Sequence, residues 1–279
     1  MSDISISKAG QYDIPCKLGE GLCVRGKNAC WVDIDSNRVF CSNGSSVTTY
    51  LLTSKPSVIY NFNDLKIELG TDSGLVCFDR AKELETNCLG FPSRSLEVDV
   101  SEYRSNDGGD CGQHRLLGFM HRNDPENFAG SVYSVSGQQH RLLDSNISIP
   151  NTFISLSSTE TLVSDSITGE IWCFKLDDSG SLKSKNLWAS LDKVAPDGGC
   201  MVDDFVLIAI WDAAEIAVFT REGELVQKIP VPVLRPTNCK FDDISSQLWV
   251  TSATTGLTPN QLAEYPDSGK TMVFNLRMS

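Results

Sequence analysis

The chain has little that reads as helix. Its 279 residues hold almost no stretch with apolar residues at three-and-four spacing, and residues 80–86 are the one short helix candidate, without a cap. Excess positive charge is also missing: 24 Lys and Arg stand against 36 Asp and Glu, for a formal net charge of -12. So acidic a surface argues against nucleic acid and anionic membranes as partners. No apolar run approaches the ~20 residues of a membrane span. The first six residues lack a basic segment followed by an apolar one, so no signal peptide is expected and the expected location is cytoplasmic.

Several catalytic signatures are missing as well. There is no Gly-x-Ser-x-Gly, no Cys/His pair that stands out and no glycine-rich phosphate loop. The ten cysteines show no Cys-x-x-Cys spacing, and Cys41, Cys77 and Cys173 lie within or beside apolar runs. They are expected to be reduced, buried small hydrophobes and not a disulfide framework. His114 and His140, in similar Gln-His-Arg-Leu-Leu stretches, lack an acidic partner at metal spacing and are expected at the surface.

What the chain does have is short β-type runs, rich in Val, Ile, Leu and aromatics and separated by turn residues. The runs come in pairs. Trp31-Val32-Asp33-Ile34 leads to Arg38-Val39-Phe40, Leu162-Val163-Ser164-Asp165 to Glu170-Ile171-Trp172-Cys173-Phe174, and Leu207-Ile208-Ala209-Ile210 to Glu215-Ile216-Ala217-Val218-Phe219. Similar pairs begin at Leu116 and Leu248, and a weaker one at Leu65. Six copies at roughly 40–45 residues match the period of β-propeller blades. Each pair is then the middle hairpin of a four-stranded blade, which cannot bury both faces alone and needs neighbours stacked on it. The expectation is an all-β, six-bladed β-propeller filling residues 1–279 as a single domain. The alternating Ile and Ser of residues 2–8 suit an edge strand, which is expected to close the ring by pairing near residues 273–276. A monomer or weak homo-oligomer is expected.

Three oxygen-bearing motifs recur at one phase of this repeat: Gly19-Glu20-Gly21, Pro150-Asn151-Thr152 and Pro196-Asp197-Gly198. Each precedes the Leu- or Trp-led strand of its copy, and so does Arg104-Ser105-Asn106-Asp107-Gly108. In a propeller the segments leading into the innermost strands meet at one end of the channel. Two carboxylates and an amide oxygen there suit calcium, magnesium or manganese, and zinc is also compatible with oxygen ligands. Three protein donors leave positions open for substrate. Alone, each of these residues is more often a simple turn residue. His121 and Arg122 could line the same mouth and recognise a polar or anionic group, against the plainer reading of a solvated loop pair.

These motifs, with Trp31-Val32-Asp33-Ile34, Leu162-Val163-Ser164-Asp165-Ser166 and Pro196-Asp197-Gly198-Gly199-Cys200, resemble the senescence marker protein (regucalcin), gluconolactonase and luciferin-regenerating enzyme family of six-bladed propellers. Their order and spacing fit that family across essentially the whole chain. The resemblance implies that Glu20, Asn151 and Asp197 bind one divalent metal ion (calcium, zinc, manganese, magnesium or iron(II)). It implies that Arg104 and Asn106 contact substrate, and that the reaction is hydrolysis of a sugar lactone to the aldonic acid, a carboxylic ester hydrolysis. Asp197 or a metal-bound hydroxide would activate the water. An organophosphate or other ester hydrolase, and a metal- or ligand-binding propeller without turnover, are the alternatives. The chain departs from the family where Thr152 follows Asn151 in place of Gly. It departs again at Gly118-Phe119-Met120-His121-Arg122, where the family has Gly-Thr-Met and acidic residues.

Overall fold

The computed structural model describes residues 4–90, 99, 101–136, 139–192 and 194–278. Six antiparallel sheets of four strands each are built from consecutive segments, except one that joins the two ends of the chain. This is the expected six-bladed propeller. The repeated pairs are the two middle strands of their blades: Trp31 lies opposite Phe40, Val163 opposite Trp172, Leu207 opposite Val218 and Leu248 opposite Phe274.

The middle strands are buried on both faces because blades stack on either side. Asn28–Asp33 is buried from Ala29 onward, and Phe205–Trp211 is buried throughout its centre. A strand covered on both faces reads as a continuous apolar run, which is why the sequence revealed these strands most clearly. The outermost strands did not stand out. Leu182–Ser190 and Leu225–Pro230 are mostly half-buried to exposed and carry no strong apolar pattern.

The ring closes through the N-terminal strand. Ile4–Tyr12 pairs antiparallel with Thr271–Met278 as the outermost strand of blade 6, with Ile6 opposite Leu276 and Lys8 opposite Phe274. Inside this seam the Cys16 N–H donates to the Gly269 carbonyl at 2.9 Å and the Thr254 N–H to the Lys17 carbonyl at 2.9 Å. Tyr12 stacks on Trp249, with centroids 5.5 Å apart, and lies 5.3 Å from Trp31. These rings bury the junction of blades 6 and 1, adding packing to the strand pairing.

Two local expectations change. Residues 80–86 are not a helix: a turn at 80–83 leads into the strand Leu84–Gly90. Asp79 decides this, since its Oδ1 accepts from the Ala81 and Lys82 N–H groups at 3.1 and 3.0 Å, and such a side-chain turn competes with helix. The one α-helix among the described residues is Pro259–Glu264, in the long loop of blade 6. Thr258 caps it in a capping box with Gln261, and Pro259 occupies its first turn, where the absent N–H costs nothing.

Candidate active site

The innermost strands are Gly19–Arg25, Pro56–Phe62, Tyr103–Cys111, Pro150–Ser155, Ala195–Val202 and Pro236–Asp242. All six break register near their start. The breaks fall between Glu20 and Cys23, Pro56 and Val58, Ser105 and Gly108, Asn151 and Ile154, Pro196 and Gly199, and Pro236 and Asn238. A bulge leaves residues unpaired and re-aims their side chains. The motif residues therefore sit in bulged strands and not in turns ahead of a strand. A bulge interrupts the two-residue alternation, so the sequence pattern hid most of these strands.

At the bulges a ring of buried polar side chains forms: Glu20, Ser57, Asn106, Asn151, Asp197 and Thr237. Neighbouring blades are tied to one another there. Ser57 Oγ donates to Ser105 Oγ at 2.9 Å, Asn106 Nδ2 to Asn151 Oδ1 at 3.0 Å, and Thr152 Oγ1 to the Asp197 carbonyl at 2.8 Å. Thr237 Oγ1 donates to the Gly19 carbonyl. Between blades 1 and 2 the contact is backbone on backbone: Gly21 has φ +58, and a Cβ there would lie 2.7 Å from the Ser57 carbonyl oxygen, so glycine is required. Thr152 takes φ 80, an uncommon conformation for a β-branched residue. Its hydroxyl, bonded to Ser164 Oγ at 2.7 Å and to Asp197, holds it there.

One hydrogen-bonded chain crosses three blades. Arg104 Nη1 donates to Asn106 Oδ1 at 2.8 Å and to the Ser105 carbonyl at 2.9 Å. Asn106 Nδ2 donates to Asn151, Asn151 Nδ2 donates to Ser166 Oγ at 2.9 Å, and Ser166 Oγ donates to the Pro196 carbonyl at 2.7 Å, next to Asp197. The chain fixes the Asn151 amide with its oxygen toward Asn106. Aspartates at the ends of second strands anchor the approach to these bulges. Asp33 accepts from the Lys17 and Leu18 N–H groups at 3.0 Å each, and Asp165 accepts from Ser148 and Ile149 at 2.9 and 3.2 Å. Sequence reasoning quoted Asp33 and Asp165 without giving them a role; their repetition at one phase was the available signal.

The site is electrostatically strained. Burial pushes the Glu20 carboxyl well above the usual range, and the charges of Asp197 and Asp107 add to it. Burial and the Asp107 charge likewise raise Asp197 well above its ordinary value. Burial lifts Asp107 to about 6. Burial lowers the Arg104 guanidinium, opposed by Asp35 and Glu20. Asp197 Oδ1 is buried with no hydrogen-bond partner, a condition that calls for an explanation in a folded protein. An oxygen-coordinated divalent cation fits this set: it would satisfy Asp197 Oδ1 and offset the carboxylate repulsion. Among the described residues no group of three or more His, Cys, Asp and Glu is placed to hold a metal, so the set depends on the Asn151 amide.

Asp107 had no role in the sequence reading, yet it is 2% exposed and lines a cavity of about 340 Å³ below the ring, together with Tyr60, Asn238 and Lys240. His121 and Arg122 are not a solvated pair. His121 is buried, its ring stacked on Phe128 at 4.7 Å and edge-on to Tyr103 at 5.1 Å, and its Nδ1 accepts from the Asp124 N–H at 2.9 Å. Arg122 Nη2 donates to Asp72 Oδ2 at 3.1 Å. His114 and His140 are each half-buried, not freely exposed.

Residues 18–254 match the model of the SMP-30/gluconolactonase/LRE-like region. The chain belongs to this family. A Rhizobium meliloti member provisionally named a sugar lactone lactonase is 28% identical over 231 residues, 80% of this chain and 76% of that one. The L-arabinolactonase of Azospirillum brasilense is 26% identical over 276 residues, 93% of this chain and 89% of that one. In three dimensions the chain is similar to the calcium-binding protein regucalcin of Agrobacterium tumefaciens, with a TM-score of 0.87 and 24% identity over 97% of this chain and 95% of that one. The family match spans residues 18–254, and the likeness of fold to regucalcin covers 97% of the chain.

Proposed function

We propose that this protein hydrolyses a sugar lactone to the open aldonic acid, using one divalent cation held by Glu20, Asn151 and Asp197. The observation that supports the reading is that the bulges of blades 1, 4 and 5 bury Glu20, Asn151 and Asp197, with the Asp197 charge acting on Glu20 and Thr152, next to Asn151, bonded to the Asp197 carbonyl. Arg104 and Asn106 are tied into the same hydrogen-bonded chain, and family relatives bear lactonase names. When bound, the cation supplies Lewis-acid polarisation of the lactone carbonyl.

The chain's own residues do the rest. Arg104 spends one nitrogen of its guanidinium on Ser105 and Asn106, and its remaining donors are the proposed grip on the sugar hydroxyls. Asn106 holds Asn151 in register and keeps the ring of donors preorganised. Asp197 is the proposed general base: its carboxylate takes the proton of the attacking water and passes it to the departing ring oxygen. The bulge backbone holds that carboxylate in place, since Thr152 pins its carbonyl. His121 and Arg122, already locked by their own partners, are proposed to shape the rim that selects the sugar.

The test is acid release, followed with a pH indicator, from a panel of five- and six-carbon aldonolactones. The protein is stripped with chelator and then given calcium, zinc, manganese, magnesium or iron(II) one at a time. The reading expects turnover of at least one lactone, lost on stripping, restored by a cation and absent in Asp197→Asn. Cation binding without turnover of any lactone, or full activity in Asp197→Asn, refutes it.

A further inference from the structure

Blade 1 carries three cysteines in register. Cys23 lies opposite Cys30 across its first two strands, and Cys30 lies opposite Cys41 across the next two. Directly opposed residues of an antiparallel sheet leave the same face. Here that face is turned to blade 2, where Cys30 and Cys41 join Phe62, Ile67 and Phe78 in one apolar cluster. Opposed residues have Cα atoms roughly 4.5–5.5 Å apart, inside the roughly 4.4–6.8 Å that a disulfide spans. The two thiols can therefore be bridged without moving the sheet.

The Cys30–Cys41 pair also has an opening. A cavity of about 60 Å³ is lined by both cysteines together with Ser42, Asn43, Asp64 and Arg80. A water occupies ~30 Å³ of liquid, so the cavity has room for one small hydroperoxide. Arg80 is fixed beside it: its Nε donates to the Tyr50 hydroxyl at 3.2 Å, and Nη1 donates to the Asn63 carbonyl at 2.8 Å. A fixed cation next to a thiol favours the thiolate, the form that reacts.

We propose that Cys30 and Cys41 are a hydroperoxide-reactive dithiol, in which Cys41 is oxidised first and Cys30 resolves it to a cross-strand disulfide. The division of labour follows from the surroundings: Cys41 is the more accessible of the two, 5% exposed against 0% for Cys30, and the local charges and hydrogen bonds agree. A hydrogen bond from the Cys30 thiol holds the Cys41 thiol below its usual range, and Arg80 adds to this against the effect of burial. Burial raises Cys30, and its bond to Cys41 raises it further. In the first step the Cys41 thiolate attacks the peroxide. An S–O bond forms, the O–O bond breaks, and the departing oxygen takes up a proton to leave as water or alcohol. The sulfur loses two electrons and the peroxide gains them. In the second step the Cys30 sulfur attacks the sulfenic sulfur of Cys41. The S–S bond forms, the S–O bond breaks, and water leaves carrying the Cys30 proton. The bridge ties the two middle strands of blade 1, one strand away from the bulge that carries Glu20.

Peptide mapping of the intact protein tests this. The reduced protein is exposed to limiting hydrogen peroxide, alkylated under denaturing conditions and digested with trypsin without reductant. Cys30 falls in residues 28–38 and Cys41 in residues 39–66, because Pro56 blocks cleavage after Lys55. The linked pair 28–38/39–66 is expected to be the first crosslink and the dominant one. In Cys30→Ser, Cys41 is expected to accumulate as a dimedone-reactive sulfenic acid; in Cys41→Ser, Cys30 is expected to stay reduced. A dominant link between 18–25, which holds Cys23, and 28–38 overturns the assignment. So does a dominant link between Cys200 and Cys239, or a wild-type protein in which Cys30 and Cys41 alkylate as fully as before treatment. The wild-type arm stands even if either variant folds poorly.

Discussion

The sharpest consequence of the proposed metal site is that the cation and the fold stabilise each other. In the metal-free protein burial and the Asp107 charge raise both Glu20 and Asp197 well above the ordinary carboxylate range, and the Asp197 charge raises Glu20 further. A raised carboxyl favours its neutral form in the native state. Its contribution to stability is therefore greatest below the ordinary carboxylate pKa and is lost as pH rises through the raised value. At neutral pH the metal-free fold carries that penalty, and a bound cation removes it. A ligand specific for the native state, present at about 100 times its dissociation constant, stabilises by about 2.7 kcal/mol. At about 2–4 °C per kcal/mol for domains of a few hundred residues, this is a rise in melting temperature of about 5–10 °C. Asp197→Asn keeps the volume and removes the charge. It should abolish the cation-induced shift while leaving the metal-free protein at least as stable as the metal-free wild type, with the advantage growing as pH rises. The assay is thermal unfolding followed by circular dichroism from pH 5 to 8, with chelator or with each divalent cation. A full cation shift in Asp197→Asn would mean that Asp197 is not a ligand. A metal-free variant that melts several degrees below metal-free wild type at neutral pH would refute the repulsion argument.

Three further outcomes are expected. Asp107, 2% exposed and raised to about 6 by burial, should destabilise the metal-free protein as pH rises through that value. Asp107→Asn should then gain up to about 3 kcal/mol above pH 6 and nothing below pH 4, read from urea midpoints in chelator; an equal gain at both pH values would rule this out. His121→Ala loses a ring stack, an edge contact and the acceptor for the Asp124 N–H, and should cost about 1–3 kcal/mol. A stability loss within error would show that the side chain is not structural. A Cβ at Gly198 would lie 2.3 Å from Asn238 Cγ, so Gly198→Ala should cost about 1–3 kcal/mol and, by displacing the bulge, depress lactone turnover well below wild type. Unchanged turnover would show that the bulge tolerates the shift.

Much of the fold was legible because the middle strands of each blade are sandwiched between neighbours. Trp31-Val32, Leu162-Val163 and Leu207-Ile208 had to be apolar on both faces, so the repeat stood out. The strand at residues 84–90 was misread because Asp79, a turn-forming side chain just before it, carries little weight in a periodic pattern. The helix at Pro259–Glu264 was missed although Thr258, Pro259 and Gln261 are a readable start signal, because one and a half turns are too short to show a period. Within the proposed site, Glu20, Asn151 and Asp197 could be picked out by shared phase. Ser166 and Thr152 could not, because each bonds to the next blade, and Asp107 could not, because its burial is a property of the assembled ring.

The sequence by itself determined the propeller, its closure by the first strand and its family, since these follow from local patterns repeated along the chain. Only the tertiary structure decided that the oxygen donors lie in bulged strands, that one hydrogen-bonded chain runs from Arg104 to Ser166, and that Asp197 keeps an unpartnered oxygen. It also decided that His121 is packed and not solvated, and that Cys30 and Cys41 face each other across a small opening. The physical reason is the same in each case. Burial, mutual charge and hydrogen-bond partnership are properties of pairs brought together from distant parts of the chain, and a linear pattern encodes each member without recording which others it will meet.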